Sequence, residues 1–139
     1  MKTTLFGAVL GAAIAFPAFA QDVANGEKEF RKCKACHMIQ SPAGEDIVKG
    51  GKVGPNLYGV VGRAAGSVEG YKYSDALLEL KDSGEVWTEA DLAAYMTDPN
   101  KFVQEKTGDQ SARTKMTFKL NKNQADVAAY LASVAPAAQ

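Results

Sequence analysis

Apolar residues recur at helical spacing in several separate stretches of the chain, and no stretch alternates as a β-strand does. The pattern predicts helices over residues 22–33, 74–82 and 122–134, and two more that begin at Thr88 and Asp98. We therefore expect an all-α fold, with about four or five helices connected by long loops.

The segment from residue 42 to residue 70 is rich in glycine and has no periodicity, which predicts a long loop. A loop of this length is uncommon inside a compact domain. Because helices this short bury little surface by themselves, we expect the loop to wrap a large apolar group. Gly26 lies inside the first predicted helix, where glycine costs about 1 kcal/mol relative to alanine. This cost suggests that another backbone passes close to Gly26.

The first 20 residues have the pattern of a secretory signal peptide. Lys2 precedes an apolar run over residues 5–16, and residues 18–20 form a small-x-small cleavage site. The run is too short for a membrane-spanning helix, which needs about 20 apolar residues. We expect a mature chain that begins at Gln21, forms one domain over residues 21–139 and resides in an oxidising, periplasm-like space.

Composition narrows the possible functions. The chain has 139 residues, with 16 basic and 16 acidic side chains, and this balance argues against a nucleic-acid-binding protein. Two cysteines are too few for a scaffold of several disulfides, and a single histidine excludes a site with two imidazole ligands. The scarce residues therefore carry most of the functional information.

Cys33–His37 reads C-x-x-C-H, the attachment motif of a c-type haem. Two thiols at this spacing can each add to one vinyl group of a single porphyrin, which places His37 under the iron. A zinc site would be one ligand short, and a thioredoxin-like pair needs a preceding strand. A disulfide here would close too small a loop to stabilise the chain much. We interpret Cys33 and Cys36 as haem attachment residues and His37 as an iron ligand.

The second iron ligand distinguishes an electron carrier from a haem enzyme or ligand sensor. Met38 follows His37 directly and cannot reach the opposite haem face. Met96 lies on a predicted helical stripe, where methionine most often fills a core. Met116 lies in an irregular segment that gives no periodic reason for an apolar residue, although an isolated loop methionine is the simple alternative. We interpret Met116 as the second ligand.

This ordered set of motifs resembles the class I c-type cytochromes, most closely bacterial cytochrome c2, along nearly the whole mature chain. Gly26 and Phe30 resemble the family's helix-contact pair, which meets Tyr130 and Leu131 of the last helix. The resemblance implies the cytochrome c fold, in which helices and long loops wrap one covalent haem c.

The resemblance also implies a haem pocket. The Pro55 carbonyl would accept a hydrogen bond from the Nδ1–H of the iron-ligating histidine. Arg63, Tyr73 and Trp87 would contact haem propionates, and Tyr95 would lie next to the methionine sulfur. Alternatively, Trp87 and Tyr95 are ordinary aromatic residues of the hydrophobic core. The alternative for Arg63 is a solvent-exposed charge on a loop.

Two departures from the family pattern stand out. Leu77 occupies a position where mitochondrial relatives usually carry asparagine near the buried propionate. Residues 104–113 resemble an insertion that precedes the ligand-bearing loop, of the kind that bacterial members carry.

By resemblance, the protein is a monomeric, periplasmic one-electron carrier with no catalytic residue. Its donor would be a membrane cytochrome bc1 complex, and its acceptor a photosynthetic reaction centre or a terminal cytochrome oxidase. The alternatives are a haem enzyme or small-ligand sensor with a labile Met116, and a subunit tethered in a larger assembly.

Charge is distributed unevenly along the chain. Residues 28–52 carry a net charge of +3, residues 99–122 carry +4 and residues 69–91 carry −5. Both basic segments flank a proposed iron ligand, so we expect a dipole that steers acidic membrane partners. The alternative is that these charge runs are only solvated faces. The expected docking residues are Lys32, Lys34, Lys52, Lys101, Lys115 and Lys119.

Overall fold

A computed structural model describes residues 21–136, and the predicted signal peptide lies outside the described residues. Within this range the chain forms α1 (Val23–Phe30), β1 (Ile39–Gln40), β2 (Asp46–Val48), α2 (Asp75–Asp82), α3 (Glu89–Thr97), α4 (Pro99–Thr107) and α5 (Gln124–Ser133). The mostly helical class is confirmed. None of the helices described is long and apolar enough to cross a membrane.

The expectation that no strand forms is wrong at one place. Strands β1 and β2 form a short antiparallel hairpin, in which Ile39 pairs with Val48 and Gln40 with Asp46. The two strands contain two and three residues, so neither is long enough to show an alternating pattern in the sequence.

Side-chain caps determine where four of the five described helices begin. In each of them an oxygen accepts the backbone N–H three residues later, which satisfies one of the free donors of the first turn. The capping residues are Asp22, Ser74, Thr88 and Asp98. The predicted starts of α1 to α4 are therefore confirmed. Helix α5 begins at Gln124, two residues later than predicted, and α1 ends at Phe30, three residues earlier.

Helices α1 and α5 cross in close contact. A Cβ atom added to Gly26 would collide with the backbone of Asp126 and lie 2.9 Å from the Cβ of Tyr130. The prediction of a backbone beside Gly26 is therefore confirmed. The rings of Phe30 and Tyr130 pack with centroids 5.7 Å apart, and the Asn25 amide donates to Asp126 at 2.8 Å. This contact joins the two ends of the described chain.

An aromatic cluster joins α3 and α4. Trp87 lies 5.1 Å from Tyr95 and 5.5 Å from Phe102, measured between ring centroids. Such pairs contribute about 0.5–1.5 kcal/mol beyond their buried area. The Lys106 ammonium lies 5.4 Å from the centre of the Phe102 ring and pairs with Glu85 at 2.8 Å. These contacts fix α4 beside α3.

The segment that resembles an insertion has an ordered conformation. Its first part is the last turn of α4, which ends at Gly108 in the left-handed region with φ of 74°. The Asp109 carboxylate then accepts the N–H of Ser111 at 2.8 Å, and Ala112 is buried. We refer to residues 108–123, which follow α4 and include Met116, as the ligand loop.

Candidate haem-binding site

The C-x-x-C-H motif forms a tight turn directly after α1. The backbone N–H groups of Cys36 and His37 both donate to the Cys33 carbonyl, at 3.1 and 2.9 Å. Both thiols are free; Cys33 packs against the core and Cys36 is exposed. Burial raises the pKa of Cys33 to about 11, so this thiol is protonated at neutral pH. Within residues 21–136, no group of three or more His, Cys, Asp or Glu side chains is placed to hold a metal ion.

A glycine-rich segment lies against the backbone of the motif. The Gly54 N–H donates to the Cys36 carbonyl at 2.7 Å. A Cβ atom at Gly50 would lie 2.6 Å from the carbonyl carbon of His37, and one at Gly54 would lie 2.6 Å from the Nδ1 atom of its ring. Because such distances are too short for real contacts, a side chain at either position would force the backbone or the ring of His37 to move. We refer to residues 33–37 and 50–56 together as the proximal wall.

The proximal wall orients the His37 ring. Its Nδ1 atom lies 2.8 Å from the carbonyl oxygen of Pro55. Because a carbonyl can only accept, Nδ1 carries the proton, and the Nε2 atom keeps its lone pair for a metal. Burial lowers the pKa of His37, although the hydrogen bond to Pro55 opposes this. The imidazole is therefore neutral at pH 7, as ligation requires.

Arg63 is half-buried, which argues against the alternative interpretation of this residue as a solvated charge on a loop. One guanidinium nitrogen donates to the Asn56 and Tyr58 carbonyls at 3.1 and 3.0 Å. The Arg63 Nε atom is buried without an acceptor among the described residues. Burial lowers the pKa of Arg63, so the site favours a neighbouring anion. Sequence reasoning missed Asn56, whose amide donates to the Gln40 carbonyl at 2.8 Å and so ties the hairpin to this segment.

The structure brings Trp87 and Tyr73 close to Arg63. The backbone N–H of Trp87 donates to the backbone carbonyl of Arg63 at 2.9 Å. Tyr73 is near enough to favour the charged guanidinium, which partly offsets the effect of burial on the Arg63 pKa. The Tyr73 hydroxyl also accepts the N–H of Val68 at 3.1 Å. These three predicted pocket residues therefore surround one region.

Leu77 offers this region no hydrogen bond. The residue lies in α2 and is 8% exposed, and its backbone carbonyl faces the closely approaching Gly66. An asparagine side chain at this position could form hydrogen bonds, whereas the leucine side chain forms only apolar contacts.

The ligand loop is attached to α3 by a hydroxyl pair. The Tyr95 and Thr114 hydroxyls lie 2.7 Å apart. Burial raises the pKa of Tyr95 to about 12, although the hydrogen bond with Thr114 opposes this. Met116 is partly buried and packs against the core. Met96 is 7% exposed and belongs to the core itself.

The six lysines expected to dock partners are all exposed, but they differ in their pairing. Three have a carboxylate within 4 Å, in the pairs Lys32–Glu29, Lys101–Glu105 and Lys119–Asp98. Within residues 21–136, Lys34, Lys52 and Lys115 form no salt bridge, and the Lys115 ammonium donates to the Lys72 carbonyl at 2.6 Å. The charge of these three lysines is therefore available to a partner.

The residues of this site fit one haem c. Cys33 and Cys36 supply two free thiols, and His37 supplies a neutral ring nitrogen that faces away from its hydrogen bond. The buried Arg63 Nε atom lacks an acceptor that a propionate carboxylate would provide. Each feature matches a different part of the cofactor.

Known proteins resemble this chain closely, although no family model matches it. Cytochrome c-550 of Paracoccus versutus is 60% identical over 98% of this chain and 91% of that protein. Cytochrome c2 of Rhodobacter capsulatus is 56% identical over 96% of this chain and 98% of that protein. The crystal structure of the Rhodobacter capsulatus protein matches with a TM-score of 0.81 and 58% identity, over 81% of this chain and 97% of that one.

Fold and site together define a class I c-type cytochrome. The chain belongs to the cytochrome c2/c-550 family. This membership confirms the predictions of one covalent haem c and of an electron carrier between a bc1 complex and a reaction centre or oxidase. The protein is not an enzyme, so the alternative of a haem enzyme is wrong. Members of the family are typically periplasmic.

Proposed function

We propose that Cys33 and Cys36 form thioether bonds to the haem and that His37 Nε2 and Met116 Sδ ligate its iron. The observation that carries this proposal is the 2.8 Å contact between His37 Nδ1 and the Pro55 carbonyl. It fixes the tautomer and aims the lone pair away from the proximal wall. When bound, the haem supplies a one-electron ferric/ferrous couple.

The surrounding residues hold this centre rigid. The Pro55 carbonyl strengthens His37 as a metal ligand by accepting a hydrogen bond from its Nδ1–H. Arg63, with Tyr73 and Trp87 beside it, would stabilise a propionate that is withdrawn from water. Tyr95 holds Thr114, two residues before Met116. A rigid site keeps both ligands in either redox state.

We further propose that the mature chain, residues 21–139, acts in the periplasm as a monomer. The support is the signal-peptide pattern of residues 1–20 and the typical location of the family.

Docking would use the cations around the two proposed iron ligands. Lys34, Lys52 and Lys115 provide uncompensated charge, whereas Lys32, Lys101 and Lys119 would first have to leave a carboxylate. We therefore expect the first three to contribute more to the attraction of an acidic partner surface.

Ligation is tested by comparing Met116→Ala with Met96→Leu. We expect Met116→Ala to abolish the Met–iron charge-transfer absorption, lower the potential and allow cyanide to bind the ferric protein rapidly. Met96→Leu keeps the buried volume, so it should leave the absorption and cyanide binding unchanged. Retention of the absorption in Met116→Ala, or its loss in Met96→Leu, would show that the ligand is assigned wrongly.

A further inference from the structure

The ligand loop is anchored firmly at Ala112 and Leu120 and weakly between them. Ala112 is 8% exposed and Leu120 is 3% exposed, and the Leu120 N–H donates to the Met96 carbonyl at 2.8 Å. Between these anchors, most side chains are exposed and Met116 is only partly buried. The path of the loop near Met116 therefore depends on the few polar contacts made there.

Thr114 makes two of these contacts with different atoms. Its hydroxyl meets that of Tyr95, and its backbone N–H donates to the Asn100 side-chain oxygen at 2.9 Å. Because an N–H can only donate, Asn100 must present its oxygen, which fixes the orientation of the amide group. The family resemblance placed Tyr95 next to the methionine sulfur, and it predicted neither of these two contacts of Thr114.

Asn100 is held in place by the capped start of helix α4. It lies in the first turn of α4, where the Asp98 carboxylate accepts the N–H of Lys101 at 3.1 Å and Pro99 is buried. One turn later on the same face, the Gln104 amide donates to the Ala112 carbonyl at 3.2 Å. Helix α4 therefore holds the chain just before Met116 at two successive points.

We propose that Asn100 is a positioning residue for the iron ligand: by fixing the Thr114 amide, it keeps Met116 on the iron and weakens the binding of external ligands that displace it. This inference rests on the proposed ligation by Met116. Without the Asn100 oxygen, the partly buried Thr114 N–H loses its acceptor, and the loop must move to satisfy it.

The experiment measures imidazole binding to the ferric, haem-loaded protein by absorbance, together with thermal unfolding. We expect Asn100→Ala and Asn100→Leu to bind imidazole about fivefold more tightly. This change corresponds to a loss of about 1 kcal/mol in the stability of the form in which Met116 is bound to the iron. Asn100→Asp retains an accepting oxygen and should behave like the wild type. Glu105→Ala is the matched control, because this exposed residue of α4 forms no hydrogen bond to the ligand loop.

Each other outcome overturns the inference. If Asn100→Ala and Asn100→Leu bind imidazole as the wild type does, Asn100 does not position the ligand. If Asn100→Asp binds as tightly as Asn100→Ala, the accepting oxygen is not the cause. A lower unfolding temperature without tighter binding would mean that Asn100 only stabilises the fold. Met116→Ala, measured alongside, separates these results from a failure of the ligation proposal, since it must open the iron even when Asn100→Ala does not.

Discussion

The proximal wall and the ligand loop flank the proposed haem and are built in different ways. In the proximal wall, backbone meets backbone: the Gly54 N–H donates to the Cys36 carbonyl, and Gly50 admits no side chain. In the ligand loop, side chains of α3 and α4 hold single atoms of Thr114. Close backbone packing has no alternative arrangement, whereas a side-chain hydrogen bond can be exchanged for water.

This difference predicts which ligand is released first. The Met116 side of the iron should open through local motion, while the His37 side should open only when the domain unfolds. A carrier needs both ligands in both redox states, so contacts that steady the ligand loop affect function more than stability.

The largest effect on assembly of the protein is expected from Gly54→Ala. The new Cβ atom would lie 2.6 Å from Nδ1 of His37, so the ring or the wall must move, at a cost of about 1–3 kcal/mol or more. We expect a severalfold lower fraction of purified protein that carries covalent haem, measured by absorbance after denaturation.

Gly44→Ala is the control for this substitution. A Cβ atom at Gly44 meets nothing within 4 Å, and only its φ of 85° costs about 1 kcal/mol. If both variants carried haem equally, the close packing of the proximal wall would not matter for assembly.

A tenfold effect is expected in amide hydrogen exchange. The Thr114 N–H, which donates to a side chain, should exchange at least about tenfold faster than the Gly54 N–H, which donates to the Cys36 backbone. NMR of the ferrous protein measures both rates, with the helical Leu92 amide as a reference. Equal protection of the Thr114 and Gly54 amides would remove the distinction between the two regions.

The smallest effect is expected at the surface, where the two regions differ in ion pairing. Lys34→Glu should slow electron transfer with partner membranes about threefold to tenfold at low salt and flatten its salt dependence. The potential should hardly change, because Lys34 is exposed.

Lys81→Glu in the acidic segment is the matched charge reversal. Its effect on the second-order rate should be much smaller than that of Lys34→Glu. A similar slowing by both variants would mean that only net charge, and not its location, controls association.

Helix starts were predictable because a cap acts over three residues. Ser74, Thr88 and Asp98 each stand immediately before the helix that they begin, so the sequence alone contains the signal. The end of α1 was not predictable in this way. In the turns after Phe30, the Lys34 and Cys36 carbonyls accept the backbone N–H groups of Gly51 and Gly54, which lie in a distant segment of the chain, and the helix does not continue.

Part of the site was also beyond prediction from the sequence. The motif and the family resemblance identified Cys33, Cys36 and His37, together with the pocket aromatics. No contact was predicted for Asn56 or Asn100, because polar loop and surface residues have no periodicity and their partners lie 16 and 14 positions away. The ion pair of Lys119 with Asp98 likewise depends on folding across 21 positions.

The contact between α1 and α5 also sets an order of events in time. The Asp22 N–H donates to the carboxylate of Asp126, which lies 104 positions further along the chain. Closing a loop of that length costs about 4 kcal/mol of chain entropy, which is recovered only when the helices dock. Helix α1 therefore cannot dock until α5 has been synthesised. Until then, the segment that contains Cys33 and Cys36 lacks the partner helix that packs against α1 in the folded domain, so this contact forms late.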